Sequence, residues 1–388
     1  MTIDVARARA ETPGTAHVAH FNNAGSSLPP SPVLDAVHGH LDLEARIGGY
    51  EAEAEAAPRL ARTRAAVAEM LNCGTDEVAL VENATVGWDM AFHSLSFGPG
   101  DRILTSVSEY ASNYIAFLQV ARRTGVVVEA VPNDADGQLD PEALERMIDG
   151  RVRLIAVTHV PTNGGLVNPA REIGRVARAH GIVYLLDACQ SAGQMPLDVE
   201  EIGCDLLSAT GRKYLRGPRG TGFLYVRRTL LDRLEPPFVD LHAATWVAPD
   251  RYELRPDARR FENWESNVAG LVGLGVAVDY ALSWGLDAIR DRVVLLAEHL
   301  RGRLESVPGV VVRDLGRERC GIVGFTADGR PADAVKAALA ARGINVSIST
   351  AGSTRLDMEA RGLDELVRAS VHYYNTEEEI ERLVSALR

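Results

Sequence analysis

Short apolar runs alternate with amphipathic helical patterns through the middle of the chain, and this alternation restricts the possible folds more than any other feature. The runs are rich in Val, Ile and Leu, and most of the gaps between them have helical periodicity. Alternating strands and helices predict a mostly parallel sheet with helices on both faces. The runs cover residues 77–81, 101–107, 126–131, 153–160, 182–188, 205–210 and 222–228.

Helix punctuation and a change of pattern predict how the chain is divided. Residues 168–181 form an amphipathic pattern with Pro169 in its first turn and Gly181 at its end, as helices prefer. Further along, a long helical pattern over 288–307 leads into two short apolar runs and two more helices. We therefore expect an N-terminal segment over 1–20, a large domain over 21–260 and a smaller α+β domain over 261–388.

Charge and cysteine content argue against several classes of protein. The 388 residues include 41 basic and 53 acidic ones, and the net charge of −12 argues against general binding to nucleic acid or an anionic membrane. The four cysteines form no CxxC pair, so we expect neither a disulfide framework nor a metal site. No apolar run approaches the roughly 18 residues of a membrane span, and the first residues lack a signal core, which predicts a cytoplasmic protein.

An acidic residue and a lysine follow two neighbouring strands. Asp187 lies at the end of the run 182–188, and Lys213 follows the run 205–210 in a glycine-rich segment. Because ligands of such sheets bind at the carboxyl ends of the strands, we expect both side chains in one cleft. The lysine is a phosphate contact, a surface residue or a nucleophile that forms an imine with pyridoxal 5′-phosphate (PLP). PLP chemistry uses both groups, because a carboxylate keeps the ring nitrogen protonated.

A phosphate-binding site is predicted beside this pair. Residues 81–95 have the pattern of a strand, a turn and a helix that begins near Thr85, and N–H groups at a helix start bind phosphate. Thr210 and Arg212, which flank the lysine turn, supply a hydroxyl and a positive charge for the same group. On this interpretation Arg212 serves the phosphate and Lys213 the aldehyde of PLP.

These motifs resemble those of the class V aminotransferase-like group of PLP enzymes. The resemblance rests on DACQSAG (187–193) and SATGRKYLRGPRGTGFLYV (208–226), and it extends over nearly the whole chain. The group includes cysteine desulfurases, selenocysteine lyases, isopenicillin N epimerase-like proteins, kynureninases and C–S lyases. The resemblance implies PLP fold-type I, with a three-layer α/β/α large domain, a mostly parallel seven-stranded sheet and a smaller α+β C-terminal domain. It also implies a homodimer.

The resemblance assigns a role to each matching position. It implies that Lys213 forms the Schiff base, that Asp187 pairs with the pyridine nitrogen and that Gln190 bonds the phenolic oxygen of the ring. Arg368 matches the arginine that binds the substrate carboxylate as a bidentate fork. The remaining positions are expected at the phosphate (Ala84, Thr85, Thr210, Arg212), at the ring or the substrate (Tyr110, Asn163) and at the substrate alone (Asn23, Tyr50).

Three sites depart from the pattern of the cysteine desulfurases. The loop over 343–362, where they carry a nucleophilic cysteine, contains none, and Cys320 upstream is expected in the core. Tyr110 stands where they have a ring-stacking histidine, so stacking is kept but an imidazole acid–base group is lost. Glu265 and Ser266 replace part of a Gly-Thr-Pro whose threonine reaches the phosphate of the partner subunit.

Residues 46–56 resemble a segment of C–S lyase-like and epimerase-like members of the group. Gly48, Gly49 and Tyr50 either form a loop that closes over the substrate or simply break a helix. The first alternative places Tyr50 at the substrate, and the second places it in a helix.

The expected substrate is an amino acid, and the expected first step is removal of its α-proton by Lys213. We favour β-elimination from a cysteine S-conjugate or a related sulfur amino acid. The family resemblance implies chemistry at a C–S bond, and the cysteine that would form a persulfide is missing. Epimerisation, transamination and decarboxylating oxidative deamination are the alternatives within the same fold. A PLP-fold binding protein without catalytic activity is the alternative from another class.

Overall fold

The computed structural model describes residues 3–388, which form an α/β structure with one large and one small sheet. The helices are α1 Val5–Ala10, α2 Ser31–Ile47, α3 Gly49–Leu71, α4 Ala84–His93, α5 Ala111–Thr124, α6 Pro141–Met147, α7 Ala170–His180, α8 Val199–Ile202, α9 Val268–Trp284, α10 Leu286–Glu305, α11 Ala332–Ala340, α12 Arg355–Ala360 and α13 Glu377–Leu387. The strands are β1 Ala19–His20, β2 Val78–Val81, β3 Arg102–Ser106, β4 Val127–Val131, β5 Val152–Thr158, β6 Val183–Asp187, β7 Leu206–Thr210, β8 Gly222–Val226, β9 Ala244–Ala248, β10 Arg251–Leu254, β11 Val310–Val312, β12 Ile322–Ala327, β13 Ile344–Asn345, β14 Ser347–Thr350 and β15 Glu365–Ser370.

The large sheet has seven strands in the order β2-β8-β7-β6-β5-β3-β4. Only β8 runs antiparallel to its neighbours, and the other adjacent pairs are parallel. Successive side chains of β6 enter different cores: Leu185 packs with residues of α4 and α5, and Leu186 packs with residues of α7. The sheet therefore lies between two helical layers, which confirms the predicted three-layer α/β/α fold.

Each of the seven predicted strands is present, with ends within two residues of the predicted ones. The prediction succeeds because most of these strands are buried on both faces, so they are apolar throughout rather than alternating. The edge strand β4 is more exposed, yet its run of valines still marks it.

The small sheet is antiparallel, with the order β11-β12-β15-β14. The N-terminal segment joins this part of the molecule, because β1 pairs in parallel with β13 and Asn22 forms a bridge with Ser370. The division predicted at residues 20 and 260 stays a prediction. Helix α9, which follows the second boundary, packs against α2 and α3, where Oγ1 of Thr63 donates to the carbonyl of Leu271 at 3.0 Å.

Helix α9 is apolar and mostly buried. Within residues 3–388 no single helix is long and apolar enough to cross a membrane. Helices α9 and α10 meet the length and composition requirements only as a pair, and they are bent by 79° at their junction.

The segment around Gly48 is a helix break rather than a loop. Helix α2 ends at Ile47 and α3 begins at Gly49, and Gly48 between them has φ 99°. This positive φ is open to glycine and strained for other residues, so glycine lets the chain change direction between two adjoining helices. Tyr50 consequently lies in the first turn of α3, with 70% of its surface exposed.

Candidate active site

The carboxyl ends of the parallel strands bring several polar side chains to one edge of the large sheet. Thr158 ends β5, Asp187 ends β6 and Thr210 ends β7, and Thr158 and Asp187 are register partners. Next to Thr210, the chain turns through a glycine-rich segment that carries Lys213. This is the edge at which the sequence predicted the cleft.

The lysine turn is closed by its own backbone. The N–H of Gly217 donates to the carbonyl of Gly211 at 2.8 Å, and the N–H of Arg216 donates to the carbonyl of Lys213 at 2.9 Å. Burial lowers the pKa of the Lys213 ammonium, and the nearby Cys189 and Asp187 offset part of this effect. Lys213 is therefore a lysine with weakened affinity for its proton, close to Asp187.

Arg216 anchors this turn to distant parts of the chain. Its buried guanidinium donates to the carbonyl of Leu28 at 2.9 Å, to Oη of Tyr373 at 2.6 Å and to Oγ1 of Thr12 at 2.5 Å. It also lies over the ring of Tyr374, 4.6 Å from the centroid. Because the backbone of Arg216 has φ 63°, these bonds hold a conformation that arginine rarely adopts.

The predicted phosphate residues are adjacent to one another. Nη1 of Arg212 donates to Oγ1 of Thr210 at 3.1 Å. Thr210 pairs with Gly222 on β8, where an added Cβ would lie 2.6 Å from the carbonyl oxygen of Ala209 and 3.1 Å from the nitrogen of Ala84. A glycine at this position therefore lets the start of α4 approach the strands closely.

Helix α4 begins as the sequence predicted. Its N-cap residue Asn83 accepts a hydrogen bond from the N–H of Val86 at 3.0 Å. The N–H groups of Ala84 and Thr85 belong to the first turn, where no intrahelical acceptor exists. In the part of the chain that the structure describes, neither N–H has a hydrogen-bond partner, so both can bind an anion beside Thr210 and Arg212.

Asp187 is held by two donors, one on each oxygen. The N–H of Cys189 donates to Oδ1 at 2.8 Å, and Nδ2 of Asn113 donates to Oδ2 at 3.0 Å. The same Nδ2 donates to Oε1 of Glu109 at 2.8 Å. Burial raises the pKa of Glu109, and the negative charge of Asp187 adds to this effect.

A second group of polar side chains surrounds Thr162. Nη1 of Arg368 donates to Oγ1 of Thr162 at 2.6 Å, and Nε2 of Gln190 lies 3.4 Å from the same oxygen. Nδ2 of Asn163 donates to Oγ1 of Thr354. The backbone of Asn163 approaches β12 closely, because an added Cβ at Gly324 would lie 2.6 Å from its carbonyl oxygen.

Tyr110 lies at the start of α5, between these two groups. Its N–H donates to Oε1 of Glu109 at 3.1 Å. Its phenol lies near Arg368, whose pKa is lowered by burial and partly restored by the hydroxyls of Tyr214 and Tyr110. The side chain is about one-third exposed, so the ring borders the open side of the cleft.

Two residues predicted at the substrate lie elsewhere in this chain. Nδ2 of Asn23 donates to the carbonyls of His20 at 3.1 Å and Ser370 at 2.7 Å, and Tyr374 donates to its Oδ1. These bonds fasten the N-terminal segment to the small sheet, and the neighbouring Asn22 is the residue that faces Arg368, at 3.5 Å. Tyr50 lines a surface cavity of about 380 Å³ with Trp264, Glu265 and Ser266.

Several side chains of the site were not predicted from the sequence. They are polar residues that bond to the predicted ones, and no motif marks them. A signal existed for two of them: Glu109 and Asn113 stand four residues apart at the start of an amphipathic helix that follows a strand end. The missed residues are Asn22, Glu109, Asn113, Thr158, Thr162 and Thr354.

The arrangement fits the PLP that the motifs imply. Within residues 3–388, three buried polar atoms of the second group lack a protein partner: Oδ1 of Asn163, Oε1 of Gln190 and Nε of Arg368. Buried polar atoms are normally hydrogen-bonded, so these atoms indicate a polar ligand. The helix start, Thr210 and Arg212 suit its phosphate, and Asp187 suits a protonated ring nitrogen.

The four thiols of the chain all have raised pKa values. Burial raises the pKa of Cys73, Cys189 and Cys320 to about 12, and it raises that of Cys204 as well. Cys320 is packed in a small apolar cluster, as the sequence predicted. A thiol with such a pKa is protonated near neutral pH and is a weak nucleophile.

Comparison with known proteins identifies similar sequences along the whole chain. The family model described as aminotransferase class-V matches residues 19–383. A probable cysteine desulfurase from Methanothermobacter thermautotrophicus is 32% identical over 376 residues, which cover 95% of this chain and 93% of that protein.

Solved structures with similar sequences share the fold. The apo structure of the cysteine desulfurase from Thermococcus onnurineus NA1 has a TM-score of 0.93 at 28% identity and covers 100% of this chain and 98% of its own. C-DES, a cystine C–S lyase solved with its product cysteine persulfide, has a TM-score of 0.87 at 26% identity, with 97% and 98% covered. A mutant of C-DES holds glycine covalently linked to its PLP cofactor, with a TM-score of 0.88 at 26% identity and 98% of each chain covered.

Proposed function

The chain belongs to the aminotransferase class-V family and is a PLP-dependent enzyme, and from this premise we propose that it is a C–S lyase acting on a cysteine S-conjugate or a related sulfur amino acid. One observation carries the proposal. Asp187 and Arg368 both lie near Lys213, whereas the loop over 343–362 contains no cysteine that would accept the sulfur.

Each group in the cleft has a distinct task in this reaction. PLP supplies an electron sink for the bonding pair released at the substrate Cα. Asp187 keeps a proton at the ring nitrogen, and Gln190 and Asn163 bond the ring oxygen. The phosphate is held by Ala84, Thr85, Thr210 and Arg212, and Tyr110 borders the ring.

Arg368 and Lys213 act on the substrate. Arg368 pairs with the α-carboxylate, which fixes the amino acid in the cleft. Nζ of Lys213 accepts the proton from Cα, and its lowered pKa leaves more of it neutral than an exposed lysine would be. The C–S bond then breaks with its electron pair on sulfur. The sulfur takes up the proton that Lys213 removed and departs as the thiol. The three-carbon remainder leaves as 2-aminoacrylate, which water hydrolyses to pyruvate and ammonia.

The cysteines support elimination rather than transfer of sulfur to the enzyme. A persulfide mechanism needs a reactive thiolate that reaches the substrate. Cys189 is the thiol close to Lys213, and burial raises its pKa to about 12, so it is protonated at neutral pH. Cys320 is packed in the core, with 1% of its surface exposed.

A substrate screen tests the proposal. Purified protein loaded with PLP is incubated with several cysteine S-conjugates, and pyruvate and free thiol are assayed. Lys213→Ala is the matched control, and we expect it to lose the cofactor's absorbance near the visible edge together with all product formation. Alanine formed with sulfur retained on the protein would mean a desulfurase instead.

The same screen separates the other reactions of this fold. Racemised substrate without pyruvate would indicate an epimerase, and a keto-acid requirement would indicate an aminotransferase. Release of carbon dioxide would indicate a decarboxylating deaminase. A protein that binds a ligand but turns over no amino acid would match the non-catalytic binding protein of the same fold. A protein that binds no PLP would overturn the whole assignment.

We also propose that the protein is a homodimer. Exposed aromatic side chains support this, because large exposed aromatics are typical of interfaces. Trp246, on the β9–β10 hairpin, is 79% exposed, and Trp264 is 51% exposed beside Tyr50. Light scattering on the protein as it elutes from a size-exclusion column tests this, with a mass of about twice 41.9 kDa expected.

A cytoplasmic location and the absence of nucleic-acid and membrane partners stay predictions from the sequence.

A further inference from the structure

We propose that Glu109 and Asn113 are positioning residues for the cofactor, which hold the carboxylate of Asp187 in one orientation and favour a proton at the cofactor's ring nitrogen. Neither residue belongs to the predicted site. The proposal rests on PLP being the cofactor and is independent of which bond at the substrate Cα is broken.

Glu109 is a buried carboxylate that is saturated with donors. Only 3% of its surface is exposed. Oε2 accepts from the N–H of Thr158 at 2.9 Å and from Oγ1 of Thr105 at 2.9 Å. Oε1 accepts from the N–H of Tyr110 at 3.1 Å, from Nδ2 of Asn113 at 2.8 Å and from Oγ1 of Thr158. Five donors on one buried carboxylate leave it a single orientation, and they oppose the rise in pKa that burial causes.

Asn113 transmits this orientation to Asp187. Its Nδ2 donates to Glu109 and to Oδ2 of Asp187, so one amide group bridges two buried carboxylates. The N–H of Cys189 fixes the other oxygen of Asp187. Each oxygen of Asp187 then keeps further acceptor capacity, which is what a protonated ring nitrogen requires.

The charge of Glu109 acts in the same direction as its hydrogen bonds. The negative charge of Asp187 raises the pKa of Glu109, and within residues 3–388 no basic side chain forms an ion pair with Glu109. The titratable groups around the two carboxylates are Tyr184 on β6, Cys189 after β6, and Arg212 and Lys213 after β7. Two negative charges in one buried cluster favour a nearby proton more than one does.

Two substitutions at Glu109 separate charge from shape. Glu109→Gln keeps the shape and removes the charge, and Glu109→Asp keeps the charge and shortens the side chain. Protein loaded with 15N-labelled PLP reports the protonation of the ring nitrogen through its 15N chemical shift. We expect Glu109→Gln to lower the pH at which this nitrogen loses its proton by about 1 unit or more, and Glu109→Asp to lower it less.

Asn113→Ala provides a second test that does not depend on the folding of the Glu109 variants. We expect the dissociation constant of PLP, measured by titrating the apoprotein, to rise about 10-fold because Asp187 loses one of its two donors. Gln138→Ala is the control, since Gln138 is a buried amide without contact to this cluster, and it should change thermal stability only. The proposal is overturned if Glu109→Gln and Asn113→Ala lose stability while the 15N titration and the affinity for PLP match the wild type.

Discussion

Nη1 of Arg368 donates to both the carbonyl oxygen of Thr162 at 3.0 Å and Oγ1 of Thr162 at 2.6 Å. This anchors one edge of the guanidinium to the protein. Within residues 3–388, the other edge, formed by Nε and Nη2, has only a long contact of 3.5 Å to Asn22, and Nε is buried without a partner. A carboxylate accepts two parallel bonds from such an edge, so Arg368 is oriented for the substrate before it binds.

Removal of Arg368 should therefore affect the substrate and not the cofactor. We expect Arg368→Ala to raise KM for the amino acid about 100-fold, because a bidentate charged contact is lost, while the absorbance of bound PLP is unchanged. Steady-state kinetics and a spectrum of the same sample check both points. Loss of PLP from Arg368→Ala would show that the arginine holds the cofactor instead.

Thr162 should act through Arg368. Thr162→Val removes the hydroxyl that anchors the guanidinium, and we expect KM to rise about fivefold with little change in kcat. Thr162→Ser keeps a hydroxyl and serves as the matched control, with KM near that of the wild type. Equal effects of both substitutions would mean that the methyl packing matters and the anchor does not.

The strands were predictable from the sequence because burial on both faces makes them continuously apolar. The same strands made three site residues predictable, because each stands at or just after the end of such a strand: Asp187, Thr210 and Lys213. Thr158 occupies an equivalent position and was overlooked, because a threonine at a strand end carries no chemical signature.

Long-range contacts were the part that the sequence could not reveal. β1 and β13 are two residues long and lie more than 300 positions apart, so no periodicity marks their pairing. Arg368 and Thr162 meet only because the small sheet docks beside the end of β5. The sequence also left open whether Gly48 lies in a loop or between two helices, because a glycine with positive φ suits both equally well.

Each single cysteine should be dispensable for activity if no persulfide is formed. We expect single replacements of each cysteine by alanine to keep pyruvate formation within about threefold of the wild type, because all four thiols are protonated at neutral pH. Electrospray mass spectrometry of the protein during turnover should show no added sulfur. Activity that disappears with one particular cysteine would identify a sulfur acceptor.

His159 should make the protein sensitive to acid. Burial lowers its pKa from 6.5 to about 4, so it folds in the neutral form. The unfolded chain binds a proton here below about pH 6.5, and the folded protein binds it only below about pH 4. The free energy of unfolding therefore has its full value above pH 6.5 and falls by about 3 kcal/mol in total as the pH drops through 4. Urea unfolding of His159→Gln between pH 7 and 4 should show a flatter profile than the wild type. The exposed His38→Gln should follow the wild-type profile, and a His159→Gln profile identical to both would refute the assignment.

Arg216 should be a major determinant of stability. Arg216→Ala leaves Tyr373 and Thr12 without their buried partner, and we expect the free energy of unfolding to fall by about 3–5 kcal/mol. Arg219→Ala, on the exposed side of the same turn, should change it by less than about 0.5 kcal/mol. Similar small effects of both substitutions would show that the turn is held by its backbone alone.

The fate of the three carbons of the substrate tests the proposed reaction most directly. A cysteine S-conjugate labelled with 13C at the β-carbon is incubated with the PLP-loaded protein, and the products are followed by NMR together with a thiol assay. We predict labelled pyruvate and free thiol in equal amounts, with neither product from Lys213→Ala. Labelled alanine in place of pyruvate, with the sulfur bound to the protein, would contradict β-elimination and identify a desulfurase.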